Sequence, residues 1–172
     1  MIVRVHASLI EAVPPVWRRL DLPAAMSLAE VSDALLTAFG FSGEQQHLFT
    51  TPYGLAADVE ANLPAADERT VTLAEALARG TFQYRYDLGD AWDVLVRAEK
   101  RLPVEPGAEY PRCVGGERAG PPEHVGGVHG YAALLAVLDH PGHPDHAQLT
   151  EFVDDGFDPA AFDLAAVDDA LR

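Results

Sequence analysis

Strict every-other-residue hydrophobicity most limits what this chain can fold into. Val3, Val5, Ala7 and Leu9 alternate with Arg4, His6 and Ser8. Phe82, Tyr84 and Tyr86 repeat that spacing, and so do Trp92, Val94, Val96 and Ala98. Successive side chains of a strand point to opposite faces, so each stretch reads as a half-buried strand. Asp87-Leu88-Gly89-Asp90 joins the last two into a hairpin. Gly89 is expected to supply the positive φ of a tight turn, with flanking aspartates suited to it. A further strand is expected over 16–22, after the break at Pro14-Pro15, with Val16, Leu20 and Leu22 on one face.

Helical signals fill the gaps between strands. Ser27-Leu28-Ala29-Glu30 is a capping box, and Leu28, Val31, Leu35, Leu36 and Phe39 recur at helical spacing before a stop at Gly40. Thr72-Leu73-Ala74-Glu75 opens a shorter helix that Gly80 ends. Short strands are expected over 47–51 and 55–59. From Leu102 to Val128 the periodicity dissolves into prolines and glycines, and a loop that long is either functional or mobile. Helices are expected over 131–138, 143–153 and 164–171, with Asp158-Pro159 as a further cap and first-turn proline. The fold class is therefore α+β. We expect a single domain over residues 1–172, with a mixed or antiparallel sheet, helices packed on it and a long Gly/Pro-rich loop. The opening order of two strands, a helix and further strands is loosely β-grasp-like.

Composition narrows the functional classes. Twelve basic against 27 acidic residues give a net charge of −15, a field that repels phosphate backbones, so non-specific nucleic-acid binding is disfavoured. Arg4, Arg18 and Arg19 are the one local basic group near the start. The single cysteine, Cys113, has no partner within the chain, which suits a reducing compartment. The N-terminus alternates and lacks an apolar signal core, and no apolar run is long enough for a membrane span, so the expected location is cytoplasmic.

Seven segments, taken in order, carry a resemblance. They are Pro-Pro-Val-Trp-Arg-Arg (14–19), Ala-Phe-Gly-Phe (38–41), His-Leu-Phe (47–49), Tyr-Arg-Tyr-Asp-Leu-Gly-Asp-Ala-Trp (84–92), Tyr-Pro-Arg-Cys-Val-Gly-Gly (110–116), Pro-Pro-Glu-His-Val-Gly-Gly-Val-His-Gly-Tyr (121–131) and Phe-Asp-Pro-Ala-Ala-Phe-Asp (157–163). Together they resemble the plasmid pRiA4b ORF-3-like family. The resemblance implies an α+β fold and an association with plasmids and mobile elements, and it implies no particular reaction. Two positions depart from the family's pattern: Val94 stands where members commonly carry histidine, and Phe152 where they often carry tryptophan.

The candidate site lies where the hairpin turn meets the long loop. Its pocket is expected to hold Tyr86, Asp87, Gly89, Asp90, Trp92, Cys113, Pro122, Glu123, Gly126, Gly127 and Tyr131. Asp87 and Asp90 could form a divalent-metal site or an acid/base pair, or serve the turn by accepting from its backbone. A metal reading adds Glu123, His143 and His146, the two histidines sharing a helical face if the helix has begun. Cys113 is either a nucleophile or soft ligand, or a buried inert thiol. Gly126-Gly127 before a helix could cradle an anion, though no Gly-Lys-Ser/Thr ending follows. No serine sits in a nucleophile elbow. Two readings stay open: a non-enzymatic accessory module that binds a protein or small-molecule ligand, and a metal-dependent or acid/base hydrolase.

Overall fold

The computed structural model describes residues 1–172. Eight strands form one sheet: β1 (Ile2–Leu9), β2 (Trp17–Pro23), β3 (His47–Thr51), β4 (Gly54–Ala57), β5 (Ala66–Asp67), β6 (Thr81–Tyr86), β7 (Trp92–Leu102) and β8 (Arg112–Glu117). Their order across the sheet is β5-β4-β3-β6-β7-β1-β2-β8. Every pairing is antiparallel except the two-residue β4–β5 contact. The β-grasp likeness therefore fails, because β1 lies antiparallel to both its neighbours, β2 and β7.

Five α-helices accompany the sheet: α1 (Leu28–Phe39), α2 (Leu73–Ala76), α3 (Gly127–Val137), α4 (His146–Thr150) and α5 (Leu164–Ala170). Both capping boxes form as expected. Ser27 and Thr72 accept from the N–H of Glu30 and Glu75, and each glutamate reaches back to its cap. Gly40 ends α1 in the left-handed region at φ 76°.

The inward rows come from the alternation. Ala7 pairs with Val96, and Val96 with Phe82; Leu9 pairs with Val94, and Val94 with Tyr84. All six are buried, and α1 lays Leu28, Val31, Leu35 and Phe39 into the same core. The opposite face carries Arg85 paired with Asp93, Arg19 paired with Glu99, and Trp17 stacked on His6.

Arg18 occupies an inward position between Leu20 and Val16 and is 2% exposed. Its guanidinium lies 5.2 Å from the Phe39 ring centroid and 4.5 Å from that of Phe162. It donates to the carbonyl oxygens of Ala38 (2.7 Å), Trp17 (2.8 Å) and Glu117 (3.1 Å). Burial pulls its pKa down to about 10. The basic group expected from Arg4, Arg18 and Arg19 therefore does not exist as a free patch, since Arg4 holds Asp21 and Arg19 holds Glu99.

The long loop is not one loop. β7 runs on to Leu102, and β8 crosses the middle of the segment to pair with β2. Its Gly115-Gly116 hides the strand signal, yet the sheet edge needs the small residue: a Cβ on Gly116 would strike the Phe162 ring that covers Arg18. Toward the C-terminus, the helix expected over 143–153 shrinks to α4, and Asp158-Pro159 makes only a turn. No helix is long and apolar enough to cross a membrane.

Candidate functional site

The β6–β7 hairpin closes over residues 87–91 with its strain placed differently from the expectation. Asp87 (φ 61°) and Ala91 (φ 59°) adopt the left-handed conformation, and Gly89 does not. Aspartate tolerates this region because its side chain can satisfy the local backbone. Asp87 Oδ1 accepts from the N–H of Gly89 (3.0 Å) and of Asp90 (3.3 Å). The Ala91 N–H donates to the Asp87 carbonyl at 2.6 Å, and the Asp87 N–H donates to Gln46 at 2.8 Å.

The segment before α3 docks onto this turn. The Gly126 N–H donates to Asp90 Oδ2 at 3.1 Å. Gly127, at φ 68°, lies so near the Asp90 carbonyl that a Cβ would collide with its oxygen. Only glycine meets both demands, positive φ and close backbone approach.

Glu123 ties the same segment to the end of α1. It accepts from Tyr86 Oη (2.6 Å), the Ser42 N–H (2.8 Å) and Ser42 Oγ (3.1 Å). Burial pushes its carboxyl up, but the donors from Tyr86 and Ser42, helped by His124, outweigh burial and hold it below the ordinary carboxylate range. Burial and the hydrogen bond to this carboxylate push the Tyr86 hydroxyl above its usual value. That oxygen also accepts from the N–H groups of Gly43 (3.1 Å) and Gln45 (3.3 Å). Beneath the polar knot, Phe41 stacks on Tyr86 at 4.9 Å and tilts against Trp92 at 5.8 Å; Trp92 meets Tyr131 edge-on at 6.5 Å.

The junction leaves a cleft of about 250 Å³ lined by Ile10, Glu11, Asp90, Ala91, Asp93, Gly126, Val128 and His129. Glu11 is held at φ 67°, and the Ile10 N–H donates to the Asp93 carbonyl at 2.8 Å. Asp93 is gripped by Arg85 at 2.7 and 3.0 Å. His129 Nε2 lies 3.6 Å from Glu11 Oε2. Glu11, Asp93 and His129 line a cleft that the sequence did not assign to them. Glu11 offered one faint signal, its place at the end of an alternating strand just before Pro14-Pro15.

Of the expected pocket residues, Tyr86, Asp87, Gly89, Asp90, Trp92, Glu123, Gly126, Gly127 and Tyr131 belong to this junction, and Pro122 is half-buried beside Glu123. Cys113 does not share it. Its N–H donates to Asp168 of α5 at 2.8 Å and its thiol to the Gly115 carbonyl at 3.3 Å, both at the β8 edge. Burial pushes that thiol's pKa up, the opposite of what a nucleophile needs.

The metal set also comes apart. His143 lies in the turn before α4, where its Nδ1 accepts from the Asp145 N–H at 3.0 Å. His146 lines a different cleft with Asp139, Asp154, Asp155 and Asp158. No three His, Cys, Asp or Glu side chains come close enough to hold a metal ion.

Fold and junction define a class: α+β proteins in which a sheet hairpin is clasped by a proline- and glycine-rich segment leading into a helix. The model of the plasmid pRiA4b ORF-3-like protein family matches residues 1–166, and the chain belongs to that family. It is similar to the uncharacterized protein y4hQ of Sinorhizobium fredii (strain NBRC 101917 / NGR234), at 29% identity over 99% of this chain and 90% of that one. The crystal structure of MM3350, a protein of unknown function from Methanosarcina mazei Go1, superposes with a TM-score of 0.87. It shares 31% identity over 95% of this chain and 96% of that one.

Proposed function

We propose that this protein is a non-enzymatic binding module serving a plasmid or other mobile element, and that it recognises a basic group of a protein or small-molecule ligand in the Glu11–Asp90–His129 cleft. One observation carries the reading: the carboxylates that a hydrolase would use are engaged by the fold, Asp87 and Asp90 each through one oxygen and Glu123 through both, and of the three only Asp90 lines the cleft. Asp87 accepts from two backbone N–H groups of its own turn, Asp90 from Gly126, and Glu123 from Tyr86 and Ser42. A general base needs a free lone pair within reach of a substrate proton, and Asp87 is buried outside the cleft while Glu123 has both oxygens bonded. Glu123 in particular is held below the ordinary range, away from the elevated pKa that acid/base chemistry near neutrality requires.

Glu11, Asp90 and Asp93 rim the cleft in a chain of net charge −15, and Arg85 offsets only Asp93. That field favours a cationic ligand group and repels phosphate. The family's plasmid-derived name supports the mobile-element setting. The test has two arms. Titrating arginine- and lysine-containing peptides should shift the amide resonances of Ala91, Gly126 and Val128 saturably, and Glu11→Lys should abolish the shift. Turnover of ester, amide or phosphate substrates that disappears in Asp87→Asn or Asp90→Asn would overturn the reading, as would the absence of any peptide-induced shift at the cleft.

A further inference from the structure

Six residues other than glycine hold a left-handed backbone: Glu11, Asn62, Asp87, Ala91, Arg118 and His124. Asparagine, aspartate and histidine visit this region several-fold more often than other side chains. Asp87 shows why, since its carboxylate accepts from the backbone of its own turn. Glu11, Ala91 and Arg118 lack that tendency. Their Cβ atoms crowd the backbone, and glycine would hold each position at lower cost. Two of the three, Glu11 at φ 67° and Ala91 at φ 59°, line the same cleft of about 250 Å³. One comes from the loop between β1 and β2, the other from the β6–β7 turn.

The fold makes little use of either side chain. Glu11 is 68% exposed at its side chain, and its ion-pair neighbour is the still more exposed His129 at 3.6 Å, a contact that adds little stability. At Ala91 the bond that closes the turn is made by the main chain, from its N–H to the Asp87 carbonyl. An outlier that the fold does not reward points to a function served at a cost in stability. The cleft shows what that function needs. Ile10, Ala91 and Val128 supply a half-buried apolar wall, and Glu11 and Asp90 supply charge. Asp90 gives one oxygen to Gly126 and Asp93 is gripped by Arg85, which leaves Glu11 as the least committed carboxylate of the lining.

We propose that Glu11 and Ala91 select the ligand of this cleft, and that the ligand is a cation carried on a short alkyl stem, as at the end of a lysine or arginine side chain. The stem lies on Ile10, Ala91 and Val128, and the charge meets Glu11 and Asp90. This rests on the cationic reading of the cleft and goes beyond it by requiring the stem. A compact cation gains nothing from an apolar wall, whereas each methylene taken out of water strengthens binding.

Methylammonium and butylammonium chlorides separate charge from stem. Followed by the amide resonances of Gly126 and Val128, butylammonium should bind about tenfold more tightly. Ala91→Gly should shrink that ratio to about threefold, and Glu11→Gly should weaken both ions by about fivefold with the ratio kept. Both glycine variants should raise the urea midpoint of the free protein. Glu11→Gln, which removes the charge and keeps the strained backbone, should weaken binding without raising it. An acetylated and amidated lysine peptide that binds more tightly than butylammonium upholds the proposal with a protein segment as the source; butylammonium binding as tightly or better upholds it with a free amine. Equal affinity for the two ions would overturn the stem requirement while leaving a cation site standing. Binding of neither ion nor the peptide would remove the cation site and this proposal with it. Glycine variants that lower the urea midpoint, or that bind butylammonium as the wild type does, would overturn the role given to Glu11 and Ala91.

Discussion

The clasp between Glu123 and the α1–β3 junction should be measurable as a coupling energy. Glu123 accepts three hydrogen bonds, two from Ser42 and one from Tyr86 at 2.6 Å. A hydrogen bond to a charged group contributes about 1.5–3 kcal/mol when well buried, and partial exposure brings these toward or below the lower end. Glu123→Gln keeps the shape and one acceptor oxygen, so it should destabilise by about 1–2 kcal/mol. Tyr86→Phe removes the Glu123 donor together with the acceptor for Gly43 and Gln45, and should cost about 2 kcal/mol. The double variant should then recover a coupling of about 1 kcal/mol.

Urea unfolding of the four proteins, followed by far-ultraviolet circular dichroism, gives these numbers. pH supplies a second check. The Glu123 carboxyl is held below its unfolded value, so its contribution is present above that value and lost as pH falls through the folded one. The gap between wild type and Glu123→Gln should therefore narrow on acidification. A coupling within about 0.3 kcal/mol of zero, or a gap indifferent to pH, would refute the clasp.

Further outcomes follow from other contacts. Gly127→Ala meets both a positive φ and the Asp90 carbonyl, so it should destabilise by about 3 kcal/mol or more in the same assay, and Leu88→Ala on the exposed tip of the turn by about 0.5 kcal/mol or less. Arg18→Lys keeps the charge but loses the planar stack between Phe39 and Phe162 and most of the bonds to three carbonyl oxygens; it should destabilise by about 2–4 kcal/mol by thermal unfolding. Tyr84 is fully buried against Ser32, and burial raises its pKa far above the unfolded value, so its share of stability is intact below that value and declines as pH rises past it. Ultraviolet titration should show Tyr84 ionising only together with unfolding. The Cys113 thiol, buried and with its pKa pushed up, should resist a thiol-specific reagent until urea unfolds the chain.

Much of the frame was legible because its signals are local. β1, β6 and β7 follow from alternation, and α1 and α2 from capping boxes that span four residues each. The turn at 87–91 was legible as a turn, but the residue bearing its positive φ was not. That choice rests on the Asp87 N–H reaching Gln46, just before β3, some forty residues from the turn in the sequence. β8 stayed hidden because its glycines erase the period, and its pairing depends on β2 some ninety residues earlier.

Residues alone determined that this chain builds a one-side-buried sheet with a capped helix over it, and that it carries a strong negative charge. Only the tertiary structure decided that Arg18 is a core residue, that His143 and His146 part company with the turn aspartates, and that Glu123 meets Ser42 across 81 positions. The physical reason is the range of the information. A strand or helix writes its burial into a repeating period, whereas a clasp of side chains onto distant backbone N–H groups has no period, and its partners exist only once the sheet has brought them together.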